Sequence, residues 1–179
     1  GFALSAATLT AAEANPDIEF ALIDDAADGD FDGAVDFDNT KPIVFNTAQA
    51  AFLVGYAAAS YSKSGIVATW GGMNFPTVTI FMDGFAQGVA YYNSENGTAV
   101  QVLGYDPASP DTATFTGGFE ANDVAKSTAQ NFIDQGADIL LPVGGPIYQS
   151  AVAAITDSGK DIALIGVDAD LFETDPSTQ

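Results

Sequence analysis

The fold is decided by the stretch Ile139-Leu140-Leu141-Pro142-Val143-Gly144-Gly145, an apolar run that ends in two glycines. A helical pattern follows it over 147–158. An uninterrupted apolar run of this length is typical of a strand that is buried on both faces of a parallel sheet. The same order of strand, glycine and helix starts again at Ile66, Val100 and Ile162. This repetition predicts an α/β protein in which helices cover both faces of a parallel sheet.

Toward the N terminus the sequence predicts a helix, a strand, an Asp- and Gly-rich loop, a second strand and a long helix. These elements are predicted at 3–14, 18–23, 24–40, 42–45 and 47–62, and the later helices at 76–92 and 122–135. In open parallel sheets, ligands bind beyond the carboxyl ends of the strands. The candidate functional residues are therefore those that directly follow a strand, namely Asp24, 71–74, Gly144, Gly145 and Asp168.

The composition excludes several classes of protein. The 179 residues include 24 acidic side chains and only four Lys, with no His or Cys, and the net charge is −20. Without His and Cys the chain has no imidazole base, no thiol nucleophile and no Ser-His-Asp triad. A chain this negative is repelled by polyphosphate, so we expect no nucleic-acid partner. The hydrophobic content of 47% nevertheless predicts a folded domain with a sizeable core.

Asp168 follows the last predicted strand, in the sequence Gly166-Val167-Asp168-Ala169-Asp170. At this position a carboxylate can accept hydrogen bonds from a sugar diol or from the N–H groups of a base. The alternative is that Asp168 caps the N terminus of a following helix, which is a common role for Asp. Asp24 poses the same choice, with Asp25 beside it as the competing cap. The residues alone leave these alternatives open.

Phe119 lies in the glycine-rich loop 117–120, just before a predicted helix. Its ring either stacks on a planar ligand or packs on its own helix as a hydrophobic staple. The pairs Gly71-Gly72 and Gly144-Gly145 lack the later glycines of a dinucleotide-binding motif. Tight turns from strand to helix explain these glycines, and a ligand contact by one pair would be an additional role.

The acidic loop contains a calcium-binding pattern. The sequence Asp28-Gly29-Asp30-Phe31-Asp32-Gly33 fits the opening of an EF-hand loop, and Asp36 stands at its ninth position. The twelfth position is Asn39, where an EF-hand has a bidentate Glu. A solvated acidic loop is the simpler interpretation. The alternative is a calcium-stabilised acidic surface protein whose ligands are Asp28, Asp30, Asp32 and Asp36.

Six motifs occur in a fixed order along nearly the whole chain. They are FLVGYAA at 52–58, SKSG at 62–65, GGM at 71–73, GFAQG at 84–88, QGADI at 135–139 and GVDAD at 166–170. This ordered series resembles the BMP family, the basic membrane lipoproteins. These are substrate-binding proteins of ABC transporters and include the purine-nucleoside receptors. The series is far more specific than any one of its motifs.

The resemblance implies a type I periplasmic-binding fold with two lobes that close over a ligand. Each lobe is a parallel sheet with helices on both faces. On this pattern residues 1–63 form part of the N-terminal lobe and residues 64–179 form most of the C-terminal lobe. Because chains of the family are longer, we expect the N-terminal lobe to be incomplete, with Gly1-Phe2 as the remnant of a cleft loop.

The resemblance also implies a set of ligand-binding residues. Phe119 matches the aromatic residue that stacks on the nucleobase, and Asp168 matches the carboxylate that holds the ligand through the ribose hydroxyls. Asp170 is the second choice for that carboxylate. Asp24 is similar to the acid that ends a strand beside the ligand in the N-terminal lobe, and Gly144 is similar to a backbone contact.

We therefore expect an extracytoplasmic solute-binding protein of an ABC importer, which binds a nucleoside or a similar small polar solute and is not an enzyme. The absence of Arg argues against a phosphorylated solute. The expected protein partner is the membrane permease, and no cofactor is expected. The resemblance implies a lipid anchor on the outer face of the bacterial cytoplasmic membrane. The alternative is a nucleoside or sugar hydrolase that uses Asp24 and Asp168 as paired carboxylates.

Overall fold

The computed structural model describes residues 4–178. The chain forms two compact units. The first unit ends at Asn46, and the second begins at Thr47. Helix α2 (Thr47–Tyr61) packs along helix α3 (Pro76–Asn96) and so belongs to the second unit. The boundary between these compact units does not test the boundary between the two lobes that the resemblance implies. The lobe boundary after residue 63 stays a prediction. In the described part of the chain, no helix combines the length and apolar character needed to span a membrane.

The first unit is a small α/β element. It contains helix α1 (Ser5–Ala14) and two parallel strands, β1 (Phe20–Ile23) and β2 (Thr40–Ile43). Its core consists of Leu9, Leu22 and Ala27. Strand β2 begins and ends two residues before the predicted 42–45. It ends at Ile43 because Asp24, which follows β1, takes a φ of 61° and turns the partner strand out of the extended conformation.

The second unit is a parallel α/β domain. Strand β3 (Ile66–Gly71) lies between α2 and α3. The elements that follow α3 are β4 (Gln101–Leu103), α4 (Asp123–Asp134), β5 (Ile139–Val143), α5 (Ile147–Ser158), β6 (Ala163–Leu164) and α6 (Leu171–Thr174). Its strands are all parallel, in the order β4-β3-β5-β6. This arrangement confirms the predicted α/β fold class. The last strand is shorter than the predicted 162–165.

Alternate residues of the central strands face opposite helix layers. Val67 and Leu141 lie in the core that the sheet shares with α2 and α3. Trp70 and Leu140 lie in the core that it shares with α4 and α5. All five residues of β5 are buried, as the continuous apolar sequence predicts.

Helices α2 and α3 approach each other closely because glycines lie at their contact. A Cβ atom at Gly55 would overlap the carbonyl oxygen of Phe85, and one at Gly88 would overlap the carbonyl oxygen of Phe52. The two helices therefore pack backbone against backbone, with no room for a methyl group at either glycine.

We expect Gly55→Ala to lower the free energy of unfolding by about 1–3 kcal/mol, because the added methyl group has to push the helices apart. This cost outweighs the better helix propensity of Ala, which is worth about 1 kcal/mol. Denaturation in urea measures the difference. Ala57→Gln, on the exposed side of α2, is the control and should cost about 0.5 kcal/mol or less. Equal effects of the two substitutions would contradict the close packing.

Asp138, directly before β5, holds the loop between α2 and β3. One carboxylate oxygen accepts a hydrogen bond from Ser62 Oγ (2.6 Å), and the other accepts from the N–H groups of Lys63 (2.6 Å) and Ser64 (2.8 Å). Partial burial raises the pKa of Asp138, but the hydrogen bonds together outweigh it and hold the pKa below its ordinary value. The ionised carboxylate therefore stabilises the connection from α2 into the sheet.

We expect Asp138→Asn to lower the free energy of unfolding by about 1–3 kcal/mol at neutral pH, since an amide cannot accept hydrogen bonds at both of its heavy atoms. Because the folded-state pKa is lowered, the wild type has this stabilisation above the unfolded-state pKa of about 4. It loses the stabilisation as the pH falls through the lower folded-state pKa. Urea denaturation at several pH values should therefore show the difference between wild type and variant shrinking below about pH 4.

Asp161→Asn is the matched control for Asp138→Asn. Asp161 forms an exposed ion pair with Lys63 (3.0 Å), and its removal should leave the free energy of unfolding unchanged within error. A difference between wild type and Asp138→Asn that did not depend on pH would show that the charge of Asp138 is not the source of the stabilisation.

Candidate ligand-binding site

The loop after β4 returns to the sheet and runs beside the carboxyl end of β3. The Gly71 N–H donates to the carbonyl oxygen of Thr114 (3.0 Å), and the Thr116 N–H donates to the carbonyl oxygen of Gly71 (3.0 Å). One residue further, the Gly117 N–H donates to the carbonyl oxygen of Gly72 (2.9 Å). These bonds hold the following segment of the loop at the ends of β3 and β5.

The Phe119 ring lies against two glycines, Gly72 after β3 and Gly144 after β5. A Cβ atom at either glycine would overlap the Cδ1 atom of the ring. The ring is half-buried and packs against the core that the sheet shares with α2 and α3. Helix α4, which follows Phe119, contributes its buried residues to the opposite core. The ring thus packs on the side of the sheet opposite to the buried face of α4.

The two glycine pairs are explained by different constraints. Gly144 and Gly145 have φ angles of 129° and 42°, which favour glycine, and they turn the chain from β5 into α5. Gly71 and Gly72 are not among the residues with positive φ. They are needed because the side chains of Val78 and Phe115 fill the space beside Gly71, and the Phe119 ring fills the space beside Gly72. The predicted tight turn is confirmed for the second pair, whereas close packing is the constraint that requires glycine at the first pair.

Asp168 forms a strained turn beyond the carboxyl end of β6. Its φ is 65°, and the Ala169 N–H donates to the carbonyl oxygen of Val167 at 2.7 Å, which is the hydrogen bond of the rare γ-turn with positive φ. Its side chain is exposed. Helix α6 has Asp170 at its N-cap position, so the N-cap interpretation of Asp168 is wrong. Backbone strain of this kind is concentrated at functional sites.

Asp24 belongs to the first unit, whereas the other predicted ligand-binding residues belong to the second. It is exposed and directly follows β1. Its neighbour Asp25 is buried and accepts hydrogen bonds from Ser5 Oγ (3.0 Å) and the Ala27 N–H (2.9 Å). Asp25 therefore joins the loop to the start of α1. The sequence left open which of Asp24 and Asp25 has a structural role, and in the structure Asp25 has one.

The acidic loop brings three of its four predicted calcium ligands together. One carboxylate oxygen from each of Asp28, Asp30 and Asp36 lies within 4.8 Å of the others. Asp32 lies outside this group and accepts a backbone hydrogen bond. Asn39, at the twelfth position, donates its side-chain N–H groups to carbonyl oxygens at the end of α1. Calcium binding by this loop stays a prediction.

Phe75 is a residue of this site that the sequence analysis missed. Its ring lies beside that of Phe119, with the ring centroids 6.5 Å apart and the planes at 23°. Phe75 follows the segment 71–74 that the strand-end rule selects, and its position before Pro76 is also typical of a helix start. An aromatic residue close behind a strand-end glycine pair was the available signal.

Gly72→Ala should destabilise the protein, because its methyl group overlaps the Phe119 ring and also crowds the carbonyl oxygen of Gly118. In a Phe119→Ala background the cost should be smaller, with a coupling energy of about 0.5–3 kcal/mol. Urea denaturation of the single variants and of the double variant measures this coupling. Gly118→Ala is the control, since a Cβ atom there meets nothing within 4 Å. Additive effects of Gly72→Ala and Phe119→Ala would contradict the contact.

Comparison with known proteins places the chain in a family. The family model described as ABC transporter substrate-binding protein PnrA-like matches residues 1–178. The chain is 31% identical over 170 residues to basic membrane protein D of Borreliella burgdorferi, which covers 95% of this chain and 45% of that protein. A solute-binding protein of an ABC transporter system from Aeropyrum pernix has a TM-score of 0.77 at 26% identity. That match covers 99% of this chain and 47% of the solved chain.

The fold and these matches define an α/β protein of the periplasmic-binding class. The chain belongs to the family of PnrA-like substrate-binding proteins of ABC transporters, which confirms the resemblance to the BMP family. It spans about half the length of the relatives that it matches. A further relative, from Pyrococcus furiosus, is 30% identical over 165 residues, covering 88% of this chain and 38% of that protein, and is named an uncharacterized lipoprotein.

Proposed function

We propose that the protein is the solute receptor of an ABC importer and that it binds a nucleoside or a similar small polar solute. The solute binds at the carboxyl ends of the strands of the second unit. Phe119 stacks on the base, Asp168 accepts hydrogen bonds from the ribose hydroxyls, and Gly144 contributes a backbone contact. Asp170 is the second choice for the carboxylate, and Asp24 is the predicted ligand-binding residue of the first unit. No bond of the solute is broken.

The observation that carries this proposal is the placement of the Phe119 ring at the ends of two central strands. A loop of the second unit is hydrogen-bonded to β3, and two glycines without side chains leave the space that the ring occupies. Ligands of open parallel sheets bind at this edge. A half-buried aromatic ring at such a position favours a ligand with a flat ring of its own.

The chemistry of the remaining groups favours a neutral, hydroxyl-bearing solute. Asp168 is an exposed carboxylate and can accept hydrogen bonds from two neighbouring hydroxyl groups. The chain has no Arg and a net charge of −20, so a phosphorylated solute would meet repulsion without a guanidinium partner. A nucleoside combines the flat ring with the diol and carries no phosphate.

The family supports a proposal for the partner and the location. A solute receptor of an ABC importer delivers its solute to a membrane permease, and energy for transport comes from the ATPase of the importer. We propose an extracytoplasmic location with a lipid anchor on the outer face of the cytoplasmic membrane. The relative from Pyrococcus furiosus that is named a lipoprotein supports the anchor.

A thermal-shift screen of the full-length protein tests this function. The panel is adenosine, guanosine, cytidine, uridine, the free bases, ribose and glucose. A bound solute at about 100 times its Kd adds about 2.7 kcal/mol to the apparent stability. We expect nucleosides to raise the Tm of the wild type, and Phe119→Ala and Asp168→Asn to abolish or greatly reduce the shift. Asp161→Asn, an exposed carboxylate in an ion pair, is the control and should keep the shift.

Two results would contradict the proposal. If sugars raised the Tm and nucleosides did not, the stacking role of Phe119 would be wrong. If chromatography after incubation with a nucleoside showed release of the free base, the protein would be a hydrolase. Retention of the shift by Asp168→Asn and its loss in Asp170→Asn would move the ribose contact to the second-choice carboxylate.

A further inference from the structure

The backbone of Phe75 is fixed by the start of helix α3. Phe75 occupies the N-cap position in an extended conformation, with φ −123° and ψ 150°. Pro76 follows at the first helical position and restricts the preceding residue to this region. The carbonyl oxygen of Phe75 accepts hydrogen bonds from the N–H groups of Val78 (2.9 Å) and Thr79 (2.9 Å). The direction in which the Phe75 side chain leaves the backbone is therefore set before any ligand binds.

The Phe119 ring, in contrast, is carried by a long loop. The segment between β4 and α4 runs from residue 104 to residue 122 and includes two successive glycines, Gly117 and Gly118. Gly117 has a φ of 83°, and a Cβ atom at either glycine would meet nothing within 4 Å. The Gly117 N–H donates to the carbonyl oxygen of Gly72 (2.9 Å), and Thr116 Oγ1 donates to the carbonyl oxygen of Gly118 (2.8 Å), so the backbone is held just before Phe119. The orientation of the ring itself depends on the groups that it contacts.

Phe75 contacts the Phe119 ring in a nearly parallel arrangement. The centroid distance of 6.5 Å and the angle of 23° lie in the range of offset aromatic pairs. Both rings are half-buried and pack against the same core. Gly72 and Gly144 touch the Cδ1–Cε1 edge of Phe119, and Phe75 adds a contact from the start of α3.

We propose that Phe75 is a positioning residue that orients Phe119 for a flat-ring solute. This inference rests on the proposed function. A ring already held in its binding orientation does not have to be ordered when the solute arrives, so less free energy is spent on binding. Phe75 thereby increases the affinity for solutes whose flat ring stacks on Phe119.

Isothermal titration of the full-length protein with adenosine, guanosine, cytidine and uridine tests the role. Phe75→Leu keeps an apolar side chain and removes the ring, and Phe75→Tyr keeps the ring. We expect Phe75→Leu to weaken nucleoside binding about 2- to 10-fold, which corresponds to the value of an aromatic pair, and Phe75→Tyr to restore binding to near the wild-type value. Urea denaturation of both variants shows whether they are folded under the titration conditions.

Double variants separate positioning of Phe119 from a general structural effect. In a Phe119→Leu background, Phe75→Leu should cause no further loss, because the ring that it positions is gone. In an Asp168→Asn background it should cause its full loss, because the carboxylate is held separately. Equal loss in all three backgrounds, or wild-type affinity of Phe75→Leu, would overturn the inference.

The outcomes distinguish this inference from the proposed function. If the wild type bound none of the four nucleosides, both proposals would be overturned. If the wild type bound a nucleoside and lost it in Phe119→Leu but not in Phe75→Leu, the proposed function would stand and only the role of Phe75 would be wrong.

Discussion

The Phe119 ring fills space that exists because two residues at the ends of neighbouring strands have no side chain. Gly72 and Gly144 both abut the same edge of the ring, so a methyl group at either position would displace it. Parallel strands bring these two glycines together, because the carboxyl ends of β3 and β5 lie side by side. The same parallel arrangement thus forms the edge at which open parallel sheets bind ligands and the space that the Phe119 ring occupies.

The distribution of positive charge is consistent with a neutral solute. Three of the four lysines are engaged outside the candidate site: Lys63 with Asp161, Lys126 with Asp157 and Lys160 with the carbonyl oxygen of Ile133. The ammonium groups of these three lysines therefore bind other groups of the chain and do not lie at the strand ends. Recognition by a ring, a carboxylate and backbone groups suits a molecule with a flat face and hydroxyl groups.

The sequence predicted the fold well because the decisive signal is local and repeated. The apolar run at 139–143 is fully buried, as expected for a central parallel strand. Pro142 in this run normally argues against a central strand. The carbonyl oxygen of Leu140 accepts a hydrogen bond from the Ile165 N–H, so the backbone of Leu140 faces β6. The backbone of Pro142, two residues later, faces the same side, but β6 has ended there and no N–H group is needed. A short neighbouring strand is not visible in the sequence around the proline.

The site was predictable only in part, because its contacts are long-range. The positions of Phe119 and Asp168 were selected by loop and strand-end arguments, but the contact of Phe119 with Gly72 depends on a loop that bonds to β3 from far along the chain. The positive φ of Asp168 had no glycine to signal it. Phe75 was missed because its position before Pro76 already has a sufficient local explanation as a helix start.

The most direct test of the central claim is a crystal structure of the full-length protein with a bound nucleoside. We expect the base to lie parallel to the Phe119 ring at the ends of β3 and β5, with the ribose hydroxyls at the Asp168 carboxylate. A nucleoside bound elsewhere, or bound at these strand ends with its sugar on Phe119 and its base remote from the ring, would contradict it.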